Sequence, residues 1–444
     1  MSCKKICLLI VAVLLLNFSH AQVKRRVLTP TIKENVVERL CNVLTSDYIF
    51  PDTAARMALH IRKRLAAGAY VQITDPADFA RHLTADLRAV YSDKHLNVIY
   101  EPALQESTQQ VSYIQQAARK MKIAEQARLQ NYGFSKAEIL SGNIGYVALN
   151  GFFDLNDQSK RAVNSAFDFL TNTNALIIDL RLNGGGQADI VHYISSLFFK
   201  ETIHINDFYI RRTNEFHQNW TEPRARSDVW SAIPVYILVS AYTASAAEEF
   251  AYDMQSLHRA VIIGEVTAGA AHPAQAIDIG NNFTVFIPFA RPVNPLTGTD
   301  WEGCGVKPDV ATDAPRALDA AIQCFYKQQI NSPDTITANN AKWMYFIYKA
   351  KLKPYKMNPK DLKKFVGKYG SNRICFDKGG LIYKTANGYT AGLSPMSKTT
   401  FTINAVLDNR QVIFHENRKG RPYKLLLNFN GNLSDAFVRN QDGL

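Results

Sequence analysis

Two uninterrupted apolar runs constrain this chain more than any other feature: Ala175 to Ile178 within "ALIIDLRL", and Val235 to Val239, "VYILV". A strand with one wet face alternates apolar and polar residues. Runs like these are instead covered on both faces, the pattern of a parallel sheet between helices. The neighbouring segments agree with that reading. From about Ile144, "IGYVALNGF" is followed by a helical stretch from Asp157 to Leu170, "ALIIDLRL", a helical stretch from Ala188 to Phe199, "VYILVS", a helix from Ser245, and "AVIIGEVT". The expectation is an α/β core over residues 136–330, with "NFTVFIPFARPV" as a further strand and Pro315 to Lys327 as a closing helix.

The flanks differ in kind. Thr29-Pro30 and Asp75-Pro76 each read as an N-cap with proline at the first helical position, leading apolar stripes through Ile32, Val36, Leu40 and Val43 and through Phe79, Leu83, Leu87 and Val90. Between them Asp52 reads as the cap of a helix carrying Met57, Ile61 and Leu65, with Gly68 ending it. Residues 22–135 are therefore expected to form a helical subdomain and linker. A helical linker is expected over 331–359. Residues 360–444, with "RICFDKGGLIYKT", "KTTFTINAVL" and "RQVIFHENRKGRPYKLLLNF", read as a small all-β domain.

Lys4 and Lys5, the apolar run Ile6 to Leu16, and Ser19-His20-Ala21 read as a secretory signal cleaved after Ala21, so residues 1–21 are expected to be removed. The run is too short to span a bilayer. The expected location is exported, periplasmic or extracellular, and not membrane-spanning. The four cysteines after the leader, Cys41, Cys304, Cys324 and Cys375, lack CxxC spacing, and no metal or cofactor is expected. Of the net charge of +12, residues 351–444 hold most, with 17 Lys/Arg against six Asp/Glu. Without aromatic-basic motifs this does not indicate nucleic acid; contact with anionic envelope components is the alternative to a merely solvated basic surface.

Three segments can carry chemistry. In "SAYTASAAEEF" a serine, Ser245, stands where a buried strand meets a helix N-terminus, near amides whose dipole favours a developing oxyanion. The same placement describes a helix cap. "DLRLNGGG" ends another buried strand in glycines, which let backbone amides approach a ligand. It lacks the GxGxxG and GxxxxGK[ST] patterns of nucleotide sites. The third, "FARPVNPLTGTDWEGCGVKPDV", is a turn-rich loop holding Trp301-Glu302.

The ordered set "SD-x-H-L", "DLRxNxGG", "V-S-x-x-T-A-S-A-x-E-x-F-A", "IIGE-x-T-x-G-x-A-H-P" and "NPxTGTxWEGxGVxPD" resembles the tail-specific, or C-terminal-processing, serine peptidases. More narrowly it is similar to the branch that includes interphotoreceptor retinoid-binding protein and the tricorn core protease. The resemblance covers about residues 30–330. It implies a ClpP/crotonase-like α/β core and an exported serine-type peptidase acting on peptides or proteins through an acyl-enzyme.

By the same resemblance Ser245 is the nucleophile, Ala246 supplies one oxyanion-hole amide, and Gly186 with Gly185 matches the other donor. The dyad members of the family carry a lysine where this chain has Ala270, which excludes a Ser-Lys mechanism. The tricorn-like branch implies His95 as the base and Glu302 as an orienting or supporting carboxylate. Taken alone, His95 at a strand start is an ordinary structural hydrogen-bonder, and His272 in "AHP" is the rival base. Glu248 and Glu249 read as complements to the helix dipole. Lys94 stands where the family usually has glycine, and is expected to alter the approach to His95 or attract an anionic substrate end. Ala290 stands where "FGR" is common. No PDZ-like segment is evident. The alternatives are a non-catalytic binder of hydrophobic ligands, retinoid- or fatty-acid-like, and an inactive peptide-binding scaffold.

Overall fold

The computed structural model describes residues 28–101, 109–225, 227–404, 410–429 and 432–440; the expected leader, residues 1–21, lies outside them. In chain order the elements begin with α1 (Pro30–Asp47), α2 (Pro51–Ala66), α3 (Pro76–Val90), β1 (Asn97–Tyr100), α4 (Gln109–Leu129), β2 (Phe134–Leu140) and β3 (Ile144–Leu149). There follow α5 (Asp157–Phe169), β4 (Ala175–Asp179), α6 (Ala188–Ser195), β5 (His204–Ile210), β6 (Glu215–Trp220), α7 (Ser227–Ala232), β7 (Val235–Val239), α8 (Ala246–Ser256) and β8 (Val261–Gly264). Next come β9 (Ala274–Gly280), β10 (Phe283–Pro288), β11 (Ala290–Val293), β12 (Val310–Ala311), α9 (Ala317–Gln329) and α10 (Thr335–Leu352). The described residues form two compact units. One takes in residues 28–92, 96–101, 109–110 and Gln275–Ile287, and the other Asp93–His95 with the described residues of 111–274 and 288–440.

In the first unit the proline-led helices form as their caps dictate. Thr29 accepts from the Ile32 amide at 3.3 Å, and Asp75 accepts from Ala77 and Asp78 at 2.8 and 3.0 Å. Asp52 does not cap α2. That helix starts two residues earlier than such a cap would set, at Pro51, with Phe50 at the N-cap and Asp52 in the first turn. Val36, Leu40, Leu44, Met57, Ile61, Phe79, Leu83 and Leu87 are fully buried, each worth roughly 1.5–3 kcal/mol of burial. β10 pairs antiparallel with β1, with Phe283 opposite Tyr100, and Phe79 meets Phe283 edge-on at 5.7 Å. The segment "NFTVFIPFARPV" is thus two strands rather than one. It breaks at Phe289, and β11 pairs instead with β5 in a sheet of order β11-β5-β6.

The second unit is built on a six-stranded sheet of order β12-β8-β7-β4-β3-β2, parallel throughout except for β2. Consecutive residues of one strand serve opposite cores, which is why the apolar runs are unbroken. Leu176, Ile178, Val235, Ile237 and Val239 join Val163, Ile190, Phe198 and Phe250 on one face. Ile177, Tyr236 and Leu238 join Ala321, Phe325, Trp343 and Ile347 on the other. The segment expected as a helical linker contains α10, whose Trp343, Met344 and Ile347 pack into that second core.

After α11 (Pro359–Lys363) come β13 (Gly367–Tyr369), β14 (Asn372–Asp377), β15 (Gly380–Lys384), β16 (Thr390–Pro395), β17 (Thr400–Ile403), β18 (Gln411–Glu416), β19 (Pro422–Phe429) and β20 (Asn432–Val438). Each pairs with the next in an antiparallel meander. The ends meet: Gly370 N donates to Val438 O at 3.1 Å and Asn440 N to Lys368 O at 2.9 Å, closing the sheet toward a barrel. Its interior is filled by Phe365, Tyr369, Phe401 and Phe414, with Phe365 and Phe414 centroids 4.6 Å apart. The fold is thus a helical N-terminal part, an α/β core and a C-terminal all-β domain. No described helix is long and apolar enough to cross a membrane.

Candidate active site

Ser245 sits between β7 and α8 at the N-cap position, where its amide bonds to Glu248 at N3 as in a capping box, but its backbone is not that of an ordinary cap. An N-cap residue is ordinarily extended, yet Ser245 has φ 56° and ψ −125°. A side chain at positive φ outside glycine costs about 1–3 kcal/mol and persists where the surroundings over-determine it. Here Glu248 does so. Its buried carboxylate accepts from Ser245 N at 3.0 Å and Ala270 N at 2.8 Å through Oε2, and from Gly269 N at 2.6 Å and the Thr267 hydroxyl through Oε1. Glu248 is therefore an anchor between the serine turn and the segment 267–270, a larger role than complementing the helix dipole.

The glycine turn after β4 lies directly against this serine. A Cβ on Gly185 would fall 2.7 Å from Ser245 Cβ and 3.1 Å from Ala246 N, and one on Gly186 would fall 1.8 Å from Phe152 O. Both have positive φ, 101° and 140°. Buried Asn183 holds the turn, donating to Leu149 O at 3.0 Å and accepting from Gly185 N at 2.8 Å. That bond corrects one expectation: the Gly185 amide is committed to Asn183, so Gly185 supplies close approach rather than an oxyanion donor. Among the described residues no turn, cap or loop bond takes up the amides of Gly186 or Ala246.

His95 follows the buried Asp93, whose Oδ1 accepts from the His95 amide at 3.0 Å. Asp93 Oδ2 lies 2.9 Å from Nδ1 of His272, itself buried. Glu302 Oε2 accepts from Ala271 N at 2.6 Å and lies 3.7 Å from the same His272 nitrogen. Burial, with Asp93 adding repulsion, pushes the Glu302 carboxyl up to about 7, although His272 opposes the shift. Burial alone would lower His272, but its bond to Asp93 and the nearby Glu302 hold its pKa above the usual value. Asp93, His272 and Glu302 have the donor types of a metal site, their ligand atoms lying within 4.8 Å of one another. Their mutual bonding is that of a buried charge network.

One six-residue segment, 267–272, ties these parts together. Thr267, Gly269 and Ala270 bind Glu248, and Ala268 O accepts from the Lys94 ammonium. Ala270 O accepts from the Trp301 indole at 3.3 Å, Ala271 binds Glu302, and His272 binds Asp93. Ser245, Gly185 and Ala246 are thus in direct packing contact, and His95 and Glu302 connect to them through this segment. Lys94, expected either to alter the approach to His95 or to attract an anionic substrate end, fastens the His95 turn to this segment through Ala268 O. Sequence reasoning passed over Asp93, although "SD-x-H" contained it, and gave His272 only as a rival base.

Residues 143–312 match peptidase family S41, and residues 29–132 match the N-terminal domain of peptidase S41 in eukaryotic IRBP. The carboxy-terminal-processing protease of Bartonella bacilliformis is 26% identical over 179 residues, 40% of this chain and 40% of that protein. The chloroplastic C-terminal processing peptidase of Tetradesmus obliquus is 29% identical over 190 residues, 40% of this chain and 37% of that one. The chain thus spans about two fifths of the length of these curated relatives. Among solved structures, the tricorn protease aligns with a TM-score of 0.43 at 13% identity, covering 67% of this chain and 37% of that one.

Proposed function

For a chain whose residues 143–312 belong to peptidase family S41 and whose residues 29–132 are an S41 N-terminal domain, we propose an exported serine-type peptidase that hydrolyses peptides or proteins. Ser245 Oγ attacks the scissile carbonyl carbon, and His95 takes the hydroxyl proton. The carbonyl oxygen, now an oxyanion, accepts hydrogen bonds from the amides of Gly186 and Ala246. Collapse breaks the C–N bond, and His95 returns its proton to the leaving amine. Water then hydrolyses the Ser245 ester by the same steps, releasing the acid.

Glu302 supports the site as a buried carboxyl in the Asp93–His272 network. Ala270 at the position of the family's lysine leaves no Ser-Lys route, which is why His95 is assigned as base. The observation that carries this reading is the positive φ of Ser245 with Gly185 packed against it. A serine that merely capped α8 would need neither.

The test is labelling of the purified protein by a fluorophosphonate probe, beside Ser245→Ala and His95→Ala. The expected result is labelling of wild type, none of Ser245→Ala, and a loss of at least 10²-fold in rate for His95→Ala. Labelling that survives Ser245→Ala, or its absence from wild type, overturns the assignment.

A further inference from the structure

Away from Ser245, a cavity of about 760 Å³ lies between α10 and the strands β17 to β19 of the C-terminal domain. Its apolar lining includes Trp343, Phe346, Tyr355 and Ile413. Phe346, on the helix, is 52% exposed and Tyr355 43%, large aromatic surface that a ligand would cover. Lys342, Lys349 and Lys353 also line the cavity and no acidic side chain does, so its charge is of one sign.

Two polar atoms add a second, independent observation. The Trp343 indole N–H and the Asn428 Oδ1 are both buried without a hydrogen-bond partner among the described residues, and both side chains line this cavity. Trp343 is 6% exposed. A buried donor or acceptor left unmade costs about 1–3 kcal/mol, and here one of each belongs to a residue that lines a single cavity. A secondary amide, with its C=O and N–H, can meet both, and unlike water it can also carry an apolar group over the exposed aromatic rings.

We propose that this cavity binds a small amphipathic carboxylate containing a secondary amide. The apolar part lies against Trp343, Phe346 and Ile413, the amide meets the Trp343 N–H and Asn428, and the carboxylate is held by the lysines. N-acyl amino acids and short apolar peptides with a free C-terminus share that chemistry. The assignment does not rest on the reading of Ser245.

Calorimetric titration of the full chain carrying Ser245→Ala, so that no ligand is turned over, tests it with N-dodecanoylglycine and acetyl-Leu-Phe. At least one acid is expected to bind at a single site, and its methyl ester at least tenfold more weakly. Lys342→Gln/Lys349→Gln, which alters only exposed ammonium groups, and Trp343→Phe, which keeps an aromatic side chain and removes the indole N–H, are each expected to weaken binding at least tenfold with an unchanged circular dichroism spectrum. Binding of the acylated glycine alone assigns the acyl source, and binding of the peptide alone the peptide source. The proposal is overturned by no single-site binding of either acid, by an ester that binds as tightly, or by affinity indifferent to either set of substitutions.

Discussion

The backbone amide of Ser245 donates to the side chain of Glu248, three residues further on, at 3.0 Å. The same carboxylate is the acceptor for Gly269 and Ala270, so the conformation of the proposed nucleophile and the position of the facing segment depend on one buried group. Glu248→Ala strands those donors. Charge-assisted bonds of this kind are worth about 1.5–3 kcal/mol each and are not additive, so a loss of roughly 3 kcal/mol in chemical denaturation is expected, with probe labelling abolished.

Replacement of Ser245 separates strain from chemistry. Ser245→Ala keeps a Cβ at φ 56°, whereas Ser245→Gly removes it. The glycine variant is expected to be about 1 kcal/mol more stable than the alanine variant in urea, since a glycine relieves positive φ at some entropic cost. Neither is expected to label. An alanine variant as stable as the glycine one would argue against strain at this turn.

At Gly185 the obstacle is steric. A methyl group would stand 2.7 Å from both Ser245 Cβ and Ala244 O, and the turn would have to move away from the serine. Gly185→Ala is expected to lower the labelling rate by 10²-fold or more, comparable to losing an oxyanion donor, with little change in the secondary structure seen by circular dichroism.

The Glu302 carboxyl gives a pH signature. Its folded pKa is raised from 4.5 to about 7, so the folded state holds its proton more tightly than the unfolded state. Its stabilising contribution is complete below pH 4.5 and is lost as pH rises through 7. At about 1.4 kcal/mol per pH unit, wild type is expected to lose on the order of 3 kcal/mol relative to Glu302→Gln across that window. Urea unfolding of both proteins at intervals from pH 4.5 to 8 measures it; parallel curves would show that Glu302 titrates normally.

Much of the α/β core was legible because double-sided burial writes itself into Ala175–Ile178 and Val235–Val239 as unbroken apolar runs. The hairpin of β5 and β6 was not. Glu215, Phe216, His217 and Gln218 are exposed, so that strand is held by backbone pairing with β5 and carries no burial pattern to read. Within the candidate site, Ser245, His95 and Glu302 were visible as members of ordered motifs, but the groups that hold them were not. Glu248 resembles any acidic residue in a first helical turn until the amides about twenty residues later are folded onto it. Gly185 looked like a donor because nothing local announces that Asn183 claims its amide. The sign of φ at Ser245 has no signature in residue type.

The segment 267–272 also has a temporal consequence. Its bonds to Lys94 and Asp93 join residues 174 and 179 positions apart, and its bonds to Trp301 and Glu302 need chain synthesised later still. Contacts of such separation form late, after local helices and adjacent strands. On a ribosome, Ser245 would emerge before the residues that complete its surroundings exist. For the peptidase proposed above, the site is therefore expected to be complete only once the last of these long-range seams has closed.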